Sequence, residues 1–156
     1  MSSLIGEYEV TLDPKGRFMI PAGFKRQLPE GEGDCFILCR GFEDCITVYT
    51  NQQWEKVSAI VRRLNDFNEK ARTLKRLFLN GANKLETDSA GRILIPKILI
   101  ESAKIKKDMI FSVQETKAEI WDAPTFNERM RLDALNMKDL ASEVLGNDFL
   151  NPFEEG

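Results

Sequence analysis

The fold is decided by the stretch Leu12-Asp13-Pro14-Lys15-Gly16-Arg17-Phe18-Met19-Ile20-Pro21, which recurs as Thr87-Asp88-Ser89-Ala90-Gly91-Arg92-Ile93-Leu94-Ile95-Pro96. Each copy carries Asp, two variable residues and then Gly-Arg, followed by three apolar residues and Pro. Further matching segments follow each copy, and a match in several blocks arises by chance much less often than one short motif does. We infer that one supersecondary unit is duplicated in this chain.

Both copies predict a tight turn between two strands. Asp at the first turn position, Pro14 at the second and Gly16 at the fourth suit a type I β-turn. Apolar and polar residues alternate over 7–12, which is typical of a half-buried strand, and the apolar run at 18–20 indicates a more fully buried one. We therefore expect strand, turn and strand in each copy.

Each copy continues into a short helix, two more strands and a long helical segment. The prolines that end the motif have a fixed φ that suits the first turn of a helix. The matched segments are 22–28 with 97–103 for the short helices, 35–38 with 109–113 and 46–49 with 118–121 for the strands, and 51–80 with 124–145 for the long helical segments. The sequence thus predicts one domain over 1–156, with repeat 1 at about 5–80, repeat 2 at about 81–147 and a mobile tail at 148–156.

The two long helical segments differ in their expected continuity. Thr50 or Asn51 can cap the first, and a break is expected at 65–68, where the residues are poor helix formers. The second is expected to form one helix from Pro124 to Gly146 with a broad apolar face. Because the two halves should already satisfy each other, this face is a candidate subunit interface.

The paired motifs resemble the MraZ family of bacterial transcriptional regulators, within the AbrB-like (SpoVT-AbrB) superfamily. The mark of that family is Asp-x-x-x-Arg in each half, here Asp13 to Arg17 and Asp88 to Arg92, and the resemblance covers nearly the whole chain. It implies an α+β fold in which two pseudo-symmetric halves form an AbrB-like swapped-hairpin β-barrel with flanking helices. It also implies ring-shaped homo-oligomers that bind tandem repeats of double-stranded DNA upstream of the division and cell-wall gene cluster.

Composition places the chain among globular proteins. With 156 residues and 42% apolar content it can bury a sizeable core without a disulfide or a metal. No apolar run approaches the roughly 20 residues that span a bilayer, and the first residues lack a basic start followed by an apolar core. We expect a cytoplasmic protein with no membrane contact, and the resemblance to transcriptional regulators implies that it is nucleoid-associated.

The charge distribution indicates where DNA would bind. The net charge is −3, so any DNA contact requires a local basic patch. Between Asp13 and Arg26 four cations face one acid, whereas between Asp88 and Glu101 two cations face two acids. We expect the first copy to be the stronger DNA reader.

Two interpretations of the Asp-x-x-x-Arg turns remain open from the residues alone. The Asp-Arg pair can simply stabilise the hairpin, or the Asp can hold the turn rigid while the Arg reaches a phosphate or the O6 and N7 atoms of guanine. The family resemblance favours DNA contact. The expected DNA-binding residues are Asp13, Lys15, Gly16, Arg17, Asp88, Gly91 and Arg92, with Lys25 and Arg26 as additional phosphate contacts.

Other binding sites are weaker hypotheses. The basic run at 70–76 competes as a DNA site, but its alternating apolar residues favour an ordinary amphipathic helix. Cys35, Cys39 and Cys45 come without His or a Cys-x-x-Cys pair, so we expect neither a metal nor another cofactor. We expect Cys35 and Cys39 to be small buried hydrophobes on the strand and at its end.

Two functions of other classes compete with DNA binding. Asp13 and Asp88 could share a proton as a catalytic dyad, but the sequence shows no nucleophile beside a base and no His. We therefore expect no enzymatic activity and no small-molecule substrate. The acidic composition keeps open a structural ring or protein-interaction hub that does not bind DNA.

Overall fold

The structure, a computed structural model, describes residues 3–146. The chain forms two compact units, Met1–Ala123 and Pro124–Gly156. Among the described residues, every strand lies in the first unit, and the second unit contains helices. The predicted mobile tail at 148–156 lies outside the described residues.

The elements follow the order that the repeat predicts. Repeat 1 contains β1 (Gly6–Thr11), β2 (Arg17–Met19), α1 (Ala22–Lys25), β3 (Cys35–Arg40), β4 (Ile46–Thr50), α2 (Asn51–Arg62) and α3 (Glu69–Lys75), which continues into the π-helical turn Arg76–Asn80. Repeat 2 contains β5 (Asn83–Glu86), β6 (Arg92–Leu94), α4 (Lys97–Ser102), β7 (Asp108–Gln114), β8 (Lys117–Asp122), α5 (Ala123–Ala134) and α6 (Met137–Leu145). The predicted α+β class is confirmed.

The strands pair across the two repeats. Six of them form an antiparallel sheet in the order β1-β7-β8-β4-β3-β5, and β2 pairs with β6 in a separate antiparallel pair, here called the β2–β6 ribbon. Strand β1 therefore pairs with β7 of the other repeat, and β5 pairs with β3. The six-stranded sheet ends at β1 and β5, so among the described strands the pairing is that of an open sheet.

Along the central strands, alternate side chains pack into two different hydrophobic clusters on opposite faces of the sheet. On β3, Phe36 and Leu38 face the main core, whereas Ile37 and Cys39 face a second cluster covered by α2 and the π-helical turn. The ribbon contributes its buried residues to the main core. The β2–β6 ribbon and α2 therefore lie on opposite sides of the six-stranded sheet.

The first long helical segment breaks where its sequence predicts. Thr50 caps α2, since its side chain accepts a hydrogen bond from the N–H of Gln53 at 3.3 Å. Asn68 caps α3 in the same way, through the N–H of Ala71 at 3.1 Å. Since α2 ends at Arg62 and α3 begins at Glu69, the predicted break at 65–68 is confirmed.

The prediction of one helix over 124–145 is wrong, because α5 and α6 are separate. The N–H groups of Leu135 and Asn136 donate to the carbonyl oxygens three residues earlier, at 3.3 and 3.1 Å, which tightens the last turn of α5. Asn136 then leaves the helical conformation with φ −113° and ψ 15°. Asparagine competes for backbone hydrogen bonds and so favours helix ends over helix interiors.

No helix within residues 3–146 combines the length and apolar character that a transmembrane segment needs.

Candidate nucleic-acid interface

Asp13 organises the first turn (residues 13–16) with both of its carboxylate oxygens. Its Oδ1 accepts the N–H groups of Lys15 at 2.9 Å and Arg17 at 2.8 Å, and its Oδ2 accepts the Nε–H of Arg17 at 2.7 Å. The backbone closes the same turn, because the N–H of Gly16 donates to the carbonyl of Asp13 at 3.0 Å. The predicted turn between β1 and β2 is confirmed, and it carries a tethered arginine.

The second turn (residues 88–91) repeats this geometry. Oδ1 of Asp88 accepts the N–H groups of Ala90 and Arg92, each at 2.9 Å, and Oδ2 accepts the Nε–H of Arg92 at 2.9 Å. Gly91 closes the turn by donating to the carbonyl of Asp88 at 2.9 Å. The duplication therefore preserves the hydrogen bonds of the turn as well as its sequence.

Glycine is required at the fourth position of both turns. Gly16 has φ +87° and Gly91 has φ +84°, in the left-handed region that side chains with a β-carbon rarely adopt. A glycine in this conformation after a tight turn lets the two strands leave it with an increased twist.

Both turn carboxyls are ionised at neutral pH. The N–H of Arg17 is the main cause that lowers the pKa of Asp13 below 3.8, and the N–H of Arg92 does the same for Asp88. A catalytic dyad needs one carboxyl whose pKa is raised so that it holds the shared proton. In both turns the pKa of the carboxyl is instead lowered, so neither Asp holds a proton at neutral pH.

The two arginines lie at the surface. Their side chains are 27% exposed at Arg17 and 35% exposed at Arg92. Each uses Nε for its own Asp, and within residues 3–146 the Nη atoms of neither arginine donate a hydrogen bond. Each turn therefore holds a guanidinium in a defined direction and leaves its outer nitrogens available.

The β2–β6 ribbon joins the two turns into one surface. In its register Arg17 lies opposite Leu94, and Met19 lies opposite Arg92. The intervening Phe18 and the residue opposite it are buried, so both arginines point to the outward face. From the strand spacing and the rise along a strand, their Cα atoms lie about 8 Å apart on the diagonal of the ribbon.

A basic groove runs beside the first turn. This first groove is lined by four lysines, one from the turn itself and three from repeat 2, which face two acids. The lysines are Lys15, Lys97, Lys106 and Lys107, and the acids are Asp13 and Glu101. The N–H of Leu12 donates to the carbonyl of Lys107 at 2.9 Å, which brings the start of β7 next to the first turn.

A second groove beside the second turn has less positive charge. It contains Lys25 together with Ala90, Gly91 and Glu9. Lys25 belongs to the first copy in sequence, but the fold places it at the second turn. Arg26 is exposed just after α1 and lines neither groove.

Sequence reasoning missed Lys97, Lys106 and Lys107 as members of the first groove. The signal that could have indicated them is the exchange of strands between repeats, since β1 pairs with β7 and the lysine pair directly precedes β7. In the fold, as in the sequence, the surroundings of the first turn are more positive than those of the second. The cations of repeat 2 now contribute most of this difference.

The competing basic run lies on the far side of the six-stranded sheet from the ribbon. It lies on α3 and the start of the π-helical turn, next to the second cluster. Lys75 pairs with Asp66 at 2.6 Å, and Arg72 donates to the carbonyl of Asp66 at 2.9 Å. These cations hold the loop between α2 and α3.

The cysteines are free thiols. Burial raises the pKa of Cys39 and of Cys45 to about 12, so both are protonated at neutral pH. Cys35 is half-buried on β3. Among the residues that the structure describes, no cluster of three or more His, Cys, Asp or Glu side chains could hold a metal ion.

Fold and site together define a duplicated α+β protein that presents two Asp-tethered arginines on one surface. The family described as "MraZ protein, putative antitoxin-like" matches residues 4–77 and again 78–146. The chain belongs to the MraZ family.

Similar proteins cover almost the whole chain. The transcriptional regulator MraZ of Cytophaga hutchinsonii is 37% identical over 145 residues, which is 93% of this chain and 96% of that protein. The transcriptional regulator MraZ of Thermoanaerobacter pseudethanolicus is 39% identical over 141 residues, covering 90% and 96% of the two chains. The one of Christiangramia forsetii is 36% identical over 149 residues, covering 95% and 96%.

A solved structure is more distantly similar. The solution structure of PHS018 from Pyrococcus horikoshii is 18% identical, with 75% of this chain and 97% of that chain covered at a TM-score of 0.30. This likeness is too low to carry an argument about the fold.

Proposed function

We propose that this protein is a sequence-specific, non-enzymatic DNA-binding transcriptional regulator that reads double-stranded DNA with its two turns. The observation that carries the proposal is the tether in each turn, which binds Nε of the arginine, while its Nη atoms donate no hydrogen bond within residues 3–146. The names of the similar proteins, transcriptional regulators, support the same function. Its site of action is the nucleoid, in the cytoplasm.

The tether matters because it lowers the entropic cost of recognition. A free arginine loses rotamer freedom when it contacts a base, whereas a side chain already held by Asp has lost part of it before binding. The remaining nitrogens of the guanidinium can donate to O6 and N7 of guanine, or to phosphate oxygens. Asp13, Gly16, Asp88 and Gly91 therefore act by positioning Arg17 and Arg92.

Lysines supply the sequence-independent part of binding. Lys15 is exposed at the tip of the first turn, and the other three lysines of the first groove extend the positive surface beside it. Lys25 contributes a phosphate contact at the second turn, and Arg26 contributes one from the end of α1. Because each neutralised phosphate releases counterions, this part of the affinity falls steeply with salt.

The proposal includes an architecture and an assembly. The exchange of β1 and β5 between repeats supports the swapped hairpins of an AbrB-like barrel, in which the β2–β6 ribbon covers one face of the open six-stranded sheet, with both repeats in one pseudo-dimeric domain. Several subunits form a ring that engages tandem repeats upstream of the division and cell-wall gene cluster, so that weak single contacts multiply. The exposed apolar residues of α5 and α6 supply the subunit contact, namely Met130, Leu132, Leu135, Met137, Leu140, Val144 and Leu145.

The test is a DNA titration by fluorescence anisotropy over a salt series from about 50 to 200 mM, with duplex from the region upstream of the protein's own gene. Arg17→Ala and Arg92→Ala should each weaken binding, and Lys15→Ala should reduce the slope of log K against log salt by about one. Arg17→Lys keeps the charge but loses the planar fork, so it should keep the slope and lose discrimination between sequences.

Lys56→Ala is the matched control. Lys56 is exposed on α2, on the other side of the six-stranded sheet from the ribbon, so this variant should bind as the unchanged protein does. The alternative function is a structural ring or interaction hub that never binds DNA, and the exposed apolar side chains of α5 and α6 favour it. No detectable binding of the unchanged protein to the duplex would decide for the hub, and equal affinities for Arg17→Ala, Arg92→Ala and Lys56→Ala would exclude the turns as the DNA contact.

A further inference from the structure

The outward face of the β2–β6 ribbon carries two large apolar side chains beside the arginines. Met19 is 50% exposed and Leu94 is 57% exposed. A strand with one face on the core ordinarily places polar residues on the other face. These residues have no packing role toward the main core, which the ribbon reaches through Phe18 and Ile93.

The register combines one arginine and one apolar residue at each end of the ribbon. Arg17 lies opposite Leu94 near the first turn, and Arg92 lies opposite Met19 near the second. A β-carbon placed on Gly91 would lie 3.4 Å from Sδ of Met19. A β-carbon placed on Gly16 would lie 3.8 Å from Cδ1 of Leu94. Each apolar side chain thus extends toward the turn of the other repeat, next to that turn's arginine.

We infer that Met19 and Leu94 are specificity-determining residues that contact thymine C5-methyl groups in the DNA major groove, beside the bases that Arg92 and Arg17 read. This inference rests on the proposed function. The major groove is about 12 Å wide and admits a two-stranded β-ribbon, whereas the minor groove is about half as wide. The thymine methyl is the apolar group that a base pair presents there, and an apolar side chain is its complement.

The arginines and the apolar side chains of this ribbon both match groups in the major groove of DNA. The Nη atoms of two arginines match the acceptors of guanine, and each arginine has an apolar neighbour where an adjacent base pair would present its methyl. The Cα atoms of the arginines lie about 8 Å apart, and base pairs rise 3.4 Å each, so the contacted guanines lie about two base pairs or more apart. The expected site therefore has thymines next to both guanines.

The test begins with a selection from duplexes with a randomised centre, using the full-length protein. In the enriched duplex each thymine is then replaced by deoxyuridine, which keeps the base pair and removes only the methyl group. Loss of one contacted methyl should weaken binding by about fourfold. Met19→Ala and Leu94→Ala should each abolish the sensitivity to deoxyuridine at one end of the site, which a double-mutant cycle measures.

Two further variants serve as controls. Met19→Leu keeps an apolar side chain and should keep the sensitivity. Ile60→Ala removes an apolar residue of similar exposure, 64%, from α2 on the other side of the sheet, and should leave every affinity unchanged. Unfolding midpoints of the variants should equal that of the unchanged protein, because both ribbon side chains point outward.

The outcomes separate this inference from the proposed function. If the unchanged protein tolerates deoxyuridine at every position while Arg17→Ala still weakens binding, the methyl contacts are refuted and DNA reading stands. An equal deoxyuridine effect in Met19→Ala, Leu94→Ala and the unchanged protein also refutes them. If the selection enriches no sequence, the proposed function and this inference both fail. Because deoxyuridine changes only the DNA, the result with the unchanged protein is decisive even if a variant fails to fold.

Discussion

The carbonyl oxygen of Gly16 accepts a hydrogen bond from the N–H of Ile95 at 2.9 Å, which ties the first turn to the strand that leaves the second turn. The reciprocal bond runs from the N–H of Ile20 to the carbonyl of Gly91 at 3.2 Å. Each turn is therefore held by the repeat to which it does not belong. Both repeats therefore build the candidate interface. We expect a substitution in one turn to change the conformation of the other turn.

Gly16→Ala should destabilise the protein by about 1–2 kcal/mol, because a β-carbon is strained at a φ of +87°. A clash is not the cause, since the nearest atom to that β-carbon would be 3.6 Å away. Urea unfolding measures the change. Gly33→Ala is the control, because Gly33 has an ordinary φ and its nearest neighbour would be 3.5 Å away. Equal midpoints for the two variants would contradict this account of the turn.

Asp13→Asn separates positioning of Arg17 from net charge. The variant removes a negative charge, so electrostatics alone would strengthen DNA binding, whereas loss of the tether to Arg17 should weaken it by on the order of tenfold. Anisotropy titration decides between the two signs. Glu101→Gln removes a negative charge from the first groove outside the turn and should strengthen binding. Tighter binding by both variants would show that the tether has no role in recognition.

The lysines of the first groove should dominate the salt dependence of DNA binding. Lys106→Ala and Lys107→Ala should each reduce the slope of log K against log salt by about one if each lysine contacts a phosphate. Lys25→Ala at the second turn should reduce the slope by no more than one of these two variants does, because the second groove holds fewer cations. If Lys25→Ala reduced this slope more than either Lys106→Ala or Lys107→Ala does, the predicted asymmetry between the two grooves would be reversed.

The turns should weaken in acid. Because the folded pKa of Asp13 and of Asp88 lies below 3.8, these carboxylates stabilise the fold above that pH, and the contribution is lost as the pH falls through their folded pKa values. The unfolding midpoint, measured at a series of pH values from 7 to 2, should therefore stay level at first and decrease once the pH is below about 4. The double variant Asp13→Asn, Asp88→Asn should show a shallower fall, and parallel curves for both proteins would exclude the turns as the cause.

Local features of the fold were predictable because they depend on residues close in sequence. The side chain of Asp13 accepts hydrogen bonds from groups two and four residues ahead, and its carbonyl accepts one from Gly16, three residues ahead, so its turn can be recognised from the order of residue types. The caps at Thr50 and Asn68 act over three residues, and the break at 65–68 follows from the same local chemistry. The separation of α5 from α6 was missed because one asparagine outweighed an apolar pattern that continues across it.

Sequence by itself determined that one unit is present twice and that each copy holds an arginine by an aspartate, since those bonds close within five consecutive residues. Only the tertiary structure decided which residues surround each arginine. It places Lys107 at the first turn, Lys25 at the second, and Leu94 opposite Arg17. The physical reason is that these neighbours are distant in sequence and meet only when the strands exchange between repeats and bury Phe18 and Ile93 in a shared core.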